Sequence, residues 1–276
     1  MAEVAVDGTQ FSFERAGELG DPLVIVHGGF EDRRAWEGVL RALSSGLQVL
    51  SYDRRGHGST AGPPRQRPLD EDVRDLARLL ETLDLYPVHL ASHGSSSSVV
   101  LRLALERPEL VRSLLLHEPT VLTALSPSPA SDSTRERLLA TLRGSGRSAR
   151  NGHAAEAAAS YLSAFGAPTE SWDRLDAASR EIWLANAPAW GEELDDAGYL
   201  APDPASWAEL VLPVLLSRGE RSPPSATELA HGVAAHLRGA TLVEIPDAGH
   251  LPHRLAPWSL SALWASFLLE RNVPPS

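Results

Sequence analysis

The segment Val88-His89-Leu90-Ala91-Ser92-His93-Gly94-Ser95-Ser96-Ser97-Ser98 runs from an apolar strand pattern through a tight turn into a helical pattern. Such a turn presents its apex residue above the sheet, and a serine there is a nucleophile for acyl transfer. The neighbours identify the apex, because strand and helix nearly touch and only small side chains fit two residues before and two after it. Centring on Gly94 puts Ser92 and Ser96 in those places, whereas Ser95 would put His93 there and Ser92 would put Leu90 there. The apex is therefore Gly94. Glycine suits the backbone, since φ above zero costs a residue with a side chain about 1 to 3 kcal/mol. Without a hydroxyl, however, it closes the acyl-enzyme route.

The elements around this turn follow from periodicity. Short apolar runs at Leu23 to Val26, Val49 to Tyr52, Val88 to Ala91, Ser113 to His117, Val214 to Ser217 and Thr241 to Ile245 read as parallel strands covered on both faces. Val4 to Val6 and Phe11 to Arg15 flank Asp7-Gly8 and read as an edge hairpin. Helical spacing occupies Asp32 to Leu43, Leu69 to Leu83, Ser95 to Arg107, Ser225 to Leu237 and Pro257 to Leu269. The stretch from Pro119 to about Ala208 breaks the alternation and holds Trp172, Trp183, Trp190 and Trp207. It reads as a helical cap over residues 119–208, inserted into one α/β core made of residues 1–118 and 209–276.

Composition narrows the partners. With 25 Lys and Arg against 36 Asp and Glu, the net charge of −11 and the lack of a basic face argue against nucleic acid and anionic membranes. The absence of cysteine excludes a disulfide framework and thiolate chemistry. Met1 to Gln10 carries no leader pattern and no apolar run approaches a membrane span, so the chain reads as cytoplasmic. The ten histidines are spread along the chain and no metal is expected. Gly28-Gly29 leads to Phe30-Glu31 rather than to a phosphate-binding glycine pattern, so no cofactor is expected either.

Taken together, these motifs resemble the α/β-hydrolase family over nearly the whole chain, including Glu106-Arg107-Pro108-Glu109-Leu110-Val111-Arg112, whose proline spacing also selects Gly94. The resemblance implies an α/β-hydrolase fold and assigns roles. His27-Gly28-Gly29-Phe30 resembles the oxyanion loop, where the Gly29 N–H joins that of Ser95. Asp53-Arg54-Arg55-Gly56-His57-Gly58-Ser59 resembles a structural turn, with His57 structural. Ile245-Pro246-Asp247-Ala248-Gly249-His250-Leu251-Pro252-His253 resembles the loop that delivers the catalytic histidine, His250, with His253 its neighbour at the cap interface. His93 and His117 take packing or hydrogen-bonding roles.

The usual acid position, in Gly219-Glu220-Arg221-Ser222, is held by Ser222. Glu118, in Leu116-His117-Glu118-Pro119, is preferred as the acid over Glu220 and Asp247. This placement resembles zearalenone lactonase and related bacterial hydrolases, as does Ala187-Pro188-Ala189-Trp190 in the cap. The resemblance implies a small-molecule ester or lactone of apolar or aromatic character, met by Gly28, Phe30, Trp183, Trp190 and His253, with Trp172 and Trp207 serving to hold the cap. A homodimer stays open.

Gly94 leaves three readings. The chain is a hydrolase whose nucleophile has been lost; or Gly94 is native and the His250–Glu118 pair does cofactor-free base chemistry such as cyclisation, elimination, decarboxylation or dioxygenation; or the pocket only binds.

Overall fold

The computed structural model describes residues 1–62 and 69–271. The apolar runs form strands β1 (Ala2–Val6), β2 (Thr9–Ala16), β3 (Pro22–Val26), β4 (Gln48–Tyr52), β5 (Val88–His93), β6 (Val111–His117), β7 (Val214–Gly219) and β8 (Thr241–Ile245). They make one sheet in the order β1-β2-β4-β3-β5-β6-β7-β8, parallel from β4 to β8 and antiparallel at the β1–β2 and β2–β4 pairings. The edge hairpin turns at Asp7 (φ 46°) and Gly8 (φ 82°), two left-handed residues whose twist matches the strands they join.

Alternation along β3 explains why its strand is apolar on both sides. Leu23 and Ile25 enter a layer with Trp36, Leu115 and Trp264, while Val24 and Val26 enter the opposite layer with Leu76, Val99 and Leu116. The covering helices are α1 (Glu37–Leu43), α2 (Leu69–Thr82), α3 (Ser97–Glu106), α7 (Pro224–His236), α8 (Pro252–Leu255) and α9 (Pro257–Arg271). Two starts differ from the periodicity. A 3-10 turn over Arg33–Trp36, capped by Asp32 accepting from the Arg34 N–H, precedes α1, and another over Gly94–Ser96 precedes α3. The four-residue α8 is too short for periodicity to register.

Between β6 and β7 the chain inserts α4 (Pro129–Arg150), α5 (Ala154–Phe165) and α6 (Ala177–Glu193). Ser128 caps α4 with Pro129 in its first turn, and Asp176 caps α6. These helices share an apolar cluster of their own, which also takes in Phe30 and Leu251 from the loops at the carboxyl ends of the strands. Trp207 instead belongs to the main core, and Trp172 packs on the helical cluster from its partly buried rim. Among the described residues, no helix is long and apolar enough to cross a membrane.

Candidate active site

At the end of β5, Gly94 takes φ +62° and Thr120 N–H donates to its carbonyl at 3.1 Å. Ser92 and Ser96 are fully buried in the tight flanking places, with Ser92 Oγ 3.0 Å from Ser97 Oγ and Ser96 Oγ 2.8 Å from the Val26 carbonyl. A Cβ at Gly94 would meet Tyr161 Oη at 3.4 Å and Thr120 Oγ1 at 3.7 Å, ordinary contacts, so the obstacle to a side chain is backbone conformation rather than space.

Glu118 follows β6 and holds φ +43°, an uncommon conformation for a residue with a side chain and one that concentrates at functional sites. His250 Nδ1 lies 2.8 Å from its Oε2. The other oxygen, Oε1, accepts from the Gly219 N–H at 2.8 Å and from the Ser222 hydroxyl. Burial works to raise this carboxyl, but the His250 hydrogen bond and charge, His117 and the Ser222 hydroxyl hold it down to about 2. Glu220 and Asp247 point elsewhere: Glu220 accepts from the Asp247 N–H at 2.8 Å, and the Asp247 carboxylate pairs with Arg221. Ser222 thus sits behind the acid as a donor.

The loop after β3 lies over the same strand ends. His57 Nε2 donates to the Gly29 carbonyl (3.0 Å), and His27, whose Nδ1 donates to the Gly28 carbonyl (2.8 Å), accepts from the Arg54 N–H (3.0 Å). Gly29 is under the Trp190 indole, close enough that a Cβ would come 2.1 Å from Trp190 Cε3. Phe30 stacks on Trp183 at 4.8 Å and tilts against Trp190 at 5.1 Å. Both tryptophans therefore face the loop that Gly94 faces. A pocket lined by Gly28, Gly29, Phe30, Glu31, His93, Tyr161 and Trp183 holds about 10 Å³, room for one water.

Two expectations need correction. His253 does not line the substrate side: it is buried, stacked on Trp36 at 4.4 Å, with Nε2 2.8 Å from Glu31 Oε1. Nor are the histidines dispersed, because strand ends bring together what the chain separates. His93 lies ring to ring with His250 (4.4 Å), His253 (4.7 Å) and His117 (5.8 Å). Glu31, His93 and His253 each offer a ligand-type atom within 4.8 Å of the others. His253 lacks the backing a metal-bound imidazole usually has, since its Nδ1 makes no hydrogen bond. An ion pair accounts for the group: His93 Nδ1 lies 3.0 Å from Glu31 Oε1 and, against the pull of burial, Glu31 raises this imidazole. The His89-x-x-x-His93 spacing falls on a strand, where it spans about 13 Å rather than one helical turn; His89 pairs with Ser113 at 2.7 Å.

Three side chains that contact the proposed site residues or their loops escaped the sequence reading. Tyr161, on α5, places its hydroxyl 2.9 Å from His250 Nε2. Glu170, between α5 and α6, accepts from the backbone N–H groups of Ala167 (2.7 Å), His250 (2.7 Å) and Leu251 (2.9 Å). Glu193, at the end of α6, accepts from Arg54 at 2.7 Å and from the Ser95 hydroxyl. For Tyr161 a signal existed: Ala157, Ala158, Tyr161, Leu162 and Phe165 form one buried stripe on an otherwise plain Ala-rich helix.

A mostly parallel sheet with covering helices, a strand-turn-helix apex at φ +62° and a histidine loop after the last strand define the α/β-hydrolase fold. The chain belongs to the alpha/beta hydrolase family, whose model matches residues 23–257. It is 22% identical over 258 residues, 90% of each chain, to the (E)-2-((N-methylformamido)methylene)succinate hydrolase of Acinetobacter baylyi. Its fold is similar to a thermophilic esterase from Thermogutta terrifontis (TM-score 0.80, 21% identity, covering 99% of this chain and 100% of that one). It is also similar to the enol-lactonase from Burkholderia xenovorans (TM-score 0.77, 20% identity, 97% and 100% covered).

Proposed function

We propose that this site is built for acyl chemistry on a small ester or lactone of apolar or aromatic character, and that the chain as it stands lacks the nucleophile of the covalent route. One observation carries the reading: His250, held at 2.8 Å by an ionised Glu118, reaches with its Nε2 to the Tyr161 hydroxyl 2.9 Å away, and that hydroxyl lies 3.4 Å from a Cβ at the apex, whose φ is +62°. The relatives named above include a hydrolase, an esterase and a lactonase, which supports the reaction class. Glu118 after β6 and Trp190 over the oxyanion loop support the resemblance to zearalenone lactonase.

In a Gly94→Ser variant the new hydroxyl attacks the carbonyl carbon and His250 takes its proton. Glu118 offsets the imidazolium, and the N–H groups of Gly29 and Ser95 receive the oxyanion. The imidazolium then protonates the leaving alkoxide, and water repeats the sequence to free the acid. Hydrolysis of 4-nitrophenyl esters and aryl lactones by Gly94→Ser tests this. A site without its nucleophile keeps about 10³ to 10⁴-fold catalysis over water against about 10⁹ when complete, so a gain of several decades is expected, lost again on adding His250→Ala. No gain in a folded Gly94→Ser protein overturns the reading. The Tyr161 hydroxyl on His250 favours a second one, cofactor-free proton transfer by the native glycine chain; it takes over if the glycine protein turns over a carbonyl substrate that the serine variant does not.

A further inference from the structure

His250 is held from both sides. Glu118 takes Nδ1, and a carboxylate that is ionised can only accept, so Nδ1 carries a proton, and in the neutral ring the opposite nitrogen, Nε2, presents a lone pair. Tyr161 Oη meets that lone pair at 2.9 Å. The same oxygen lies 3.4 Å from where a Cβ on Gly94 would stand, so the phenol occupies the space immediately in front of the apex. Its ring is clamped by Phe30 (5.5 Å), Phe165 (4.9 Å), Trp183 (5.8 Å) and Trp190 (5.3 Å). Burial, with the Glu31, Glu118 and Glu193 charges, keeps the phenol protonated well above its ordinary range, so it reaches His250 as a donor.

We propose that Tyr161 is the hydroxyl partner of His250 in this chain, a positioning residue that donates to Nε2, fixes the imidazole tautomer against Glu118 and holds the place a ligand carbonyl takes in front of Gly94. Without it, a buried imidazole beside a glycine has an unmet acceptor. With it, Glu118, His250 and Tyr161 form a closed series of hydrogen bonds in which the cap supplies the group that the turn after β5 does not. A serine introduced at position 94 and the Tyr161 phenol then compete for one lone pair, and the phenol also stands in the path of the substrate.

The test has a spectroscopic arm that needs no substrate and a kinetic arm that rests on the acyl-chemistry reading. In ¹⁵N-labelled protein, Tyr161→Phe, which keeps the ring and removes only the hydroxyl, is expected to move the His250 Nε2 resonance toward that of an imidazole nitrogen without a donor. Replacing the tyrosines with 3-fluorotyrosine, a stronger donor, is expected to move it the opposite way, and guards against a Phe variant that fails to fold. In the kinetic arm, Gly94→Ser/Tyr161→Phe is expected to hydrolyse 4-nitrophenyl esters about tenfold faster than Gly94→Ser, the worth of one hydrogen bond removed from the competing partner. An Nε2 resonance that both replacements leave in place overturns the assignment of Tyr161. Resonances that move while both serine variants stay inactive uphold Tyr161 and sink the acyl-chemistry reading instead. A Gly94→Ser/Tyr161→Phe enzyme slower than Gly94→Ser overturns the competition.

Discussion

Glu170 is expected to be one of the most costly side chains in this fold to remove, although it touches no reacting atom. It is buried, and its two oxygens accept from three backbone N–H groups: Oε2 from Ala167 and His250 at 2.7 Å each, Oε1 from Leu251 at 2.9 Å. Glu170→Ala leaves three buried donors without an acceptor. An orphaned buried donor costs about 1 to 3 kcal/mol, and water entering the vacated volume recovers part of that, so a loss of about 3 to 5 kcal/mol is expected. For a chain of this length the loss corresponds to roughly 6 to 10 °C in thermal midpoint. Glu170→Gln should cost about 2 kcal/mol, because its amide nitrogen must face at least one of the N–H groups. Urea unfolding gives the stabilities. Amide hydrogen exchange at His250 and Leu251 reads the loop directly, and both amides should exchange faster in the alanine variant. If Glu170→Ala costs under about 1 kcal/mol and leaves those two amides protected, the carboxylate is not what holds the histidine loop.

Gly29→Ala should destabilise by about 1 to 3 kcal/mol, because its Cβ would fall 2.1 Å from the Trp190 ring; in a Trp190→Ala background the same substitution should cost close to nothing, and equal costs in both would refute the contact. The urea midpoint should fall as pH drops from about 6.5 toward 4. Burial holds His117 down to about 3 and His27, His89 and His253 down to about 4 in the fold, so the unfolded chain binds more protons in that window. His93, raised, works the other way and offsets part of the slope, while Glu118 at about 2 adds a second loss from pH 4.5 downward. A midpoint flat between pH 7 and 4 would refute the neutral state of the four lowered imidazoles.

The core strands are legible in the sequence because burial on both faces selects continuous apolar runs, as Leu23 to Val26 illustrates, each alternate residue serving a different layer. Gly94 is legible through steric logic about its neighbours, which needs no contact from elsewhere. The prominence of Glu118 comes from what Ser222 cannot do, yet the role of Ser222 as a donor to that carboxylate depends on two loops meeting, which spacing along the chain does not encode. The same holds for Tyr161, Glu170 and Glu193. Each lies in the helical insertion, 80 to 139 residues from the partner it serves, and apart from the apolar stripe that carries Tyr161 its own sequence surroundings are ordinary. Glu31 stood in plain view after the glycine loop, but only the convergence of β3, β5 and α8 gives it two imidazoles.

Arg54 shows what this architecture demands of a ligand on its way in. Its guanidinium is fully buried and divided between Asp72 of the core at 2.6 Å and Glu193 of the insertion at 2.7 Å. Elsewhere Glu170 grips the histidine loop and the buried Asp32 accepts from Asn186 of α6 at 2.9 Å, so the three helices are fastened to the core at three buried carboxylates. Releasing one such pairing costs about 3 to 5 kcal/mol, which holds the lifted state below about one molecule in a hundred. With that frame in place, a ligand that reached the space before Gly94 would have to displace the Phe30, Tyr161 and Trp183 side chains that line it, and the turning of those rings would then bear on how fast it exchanges.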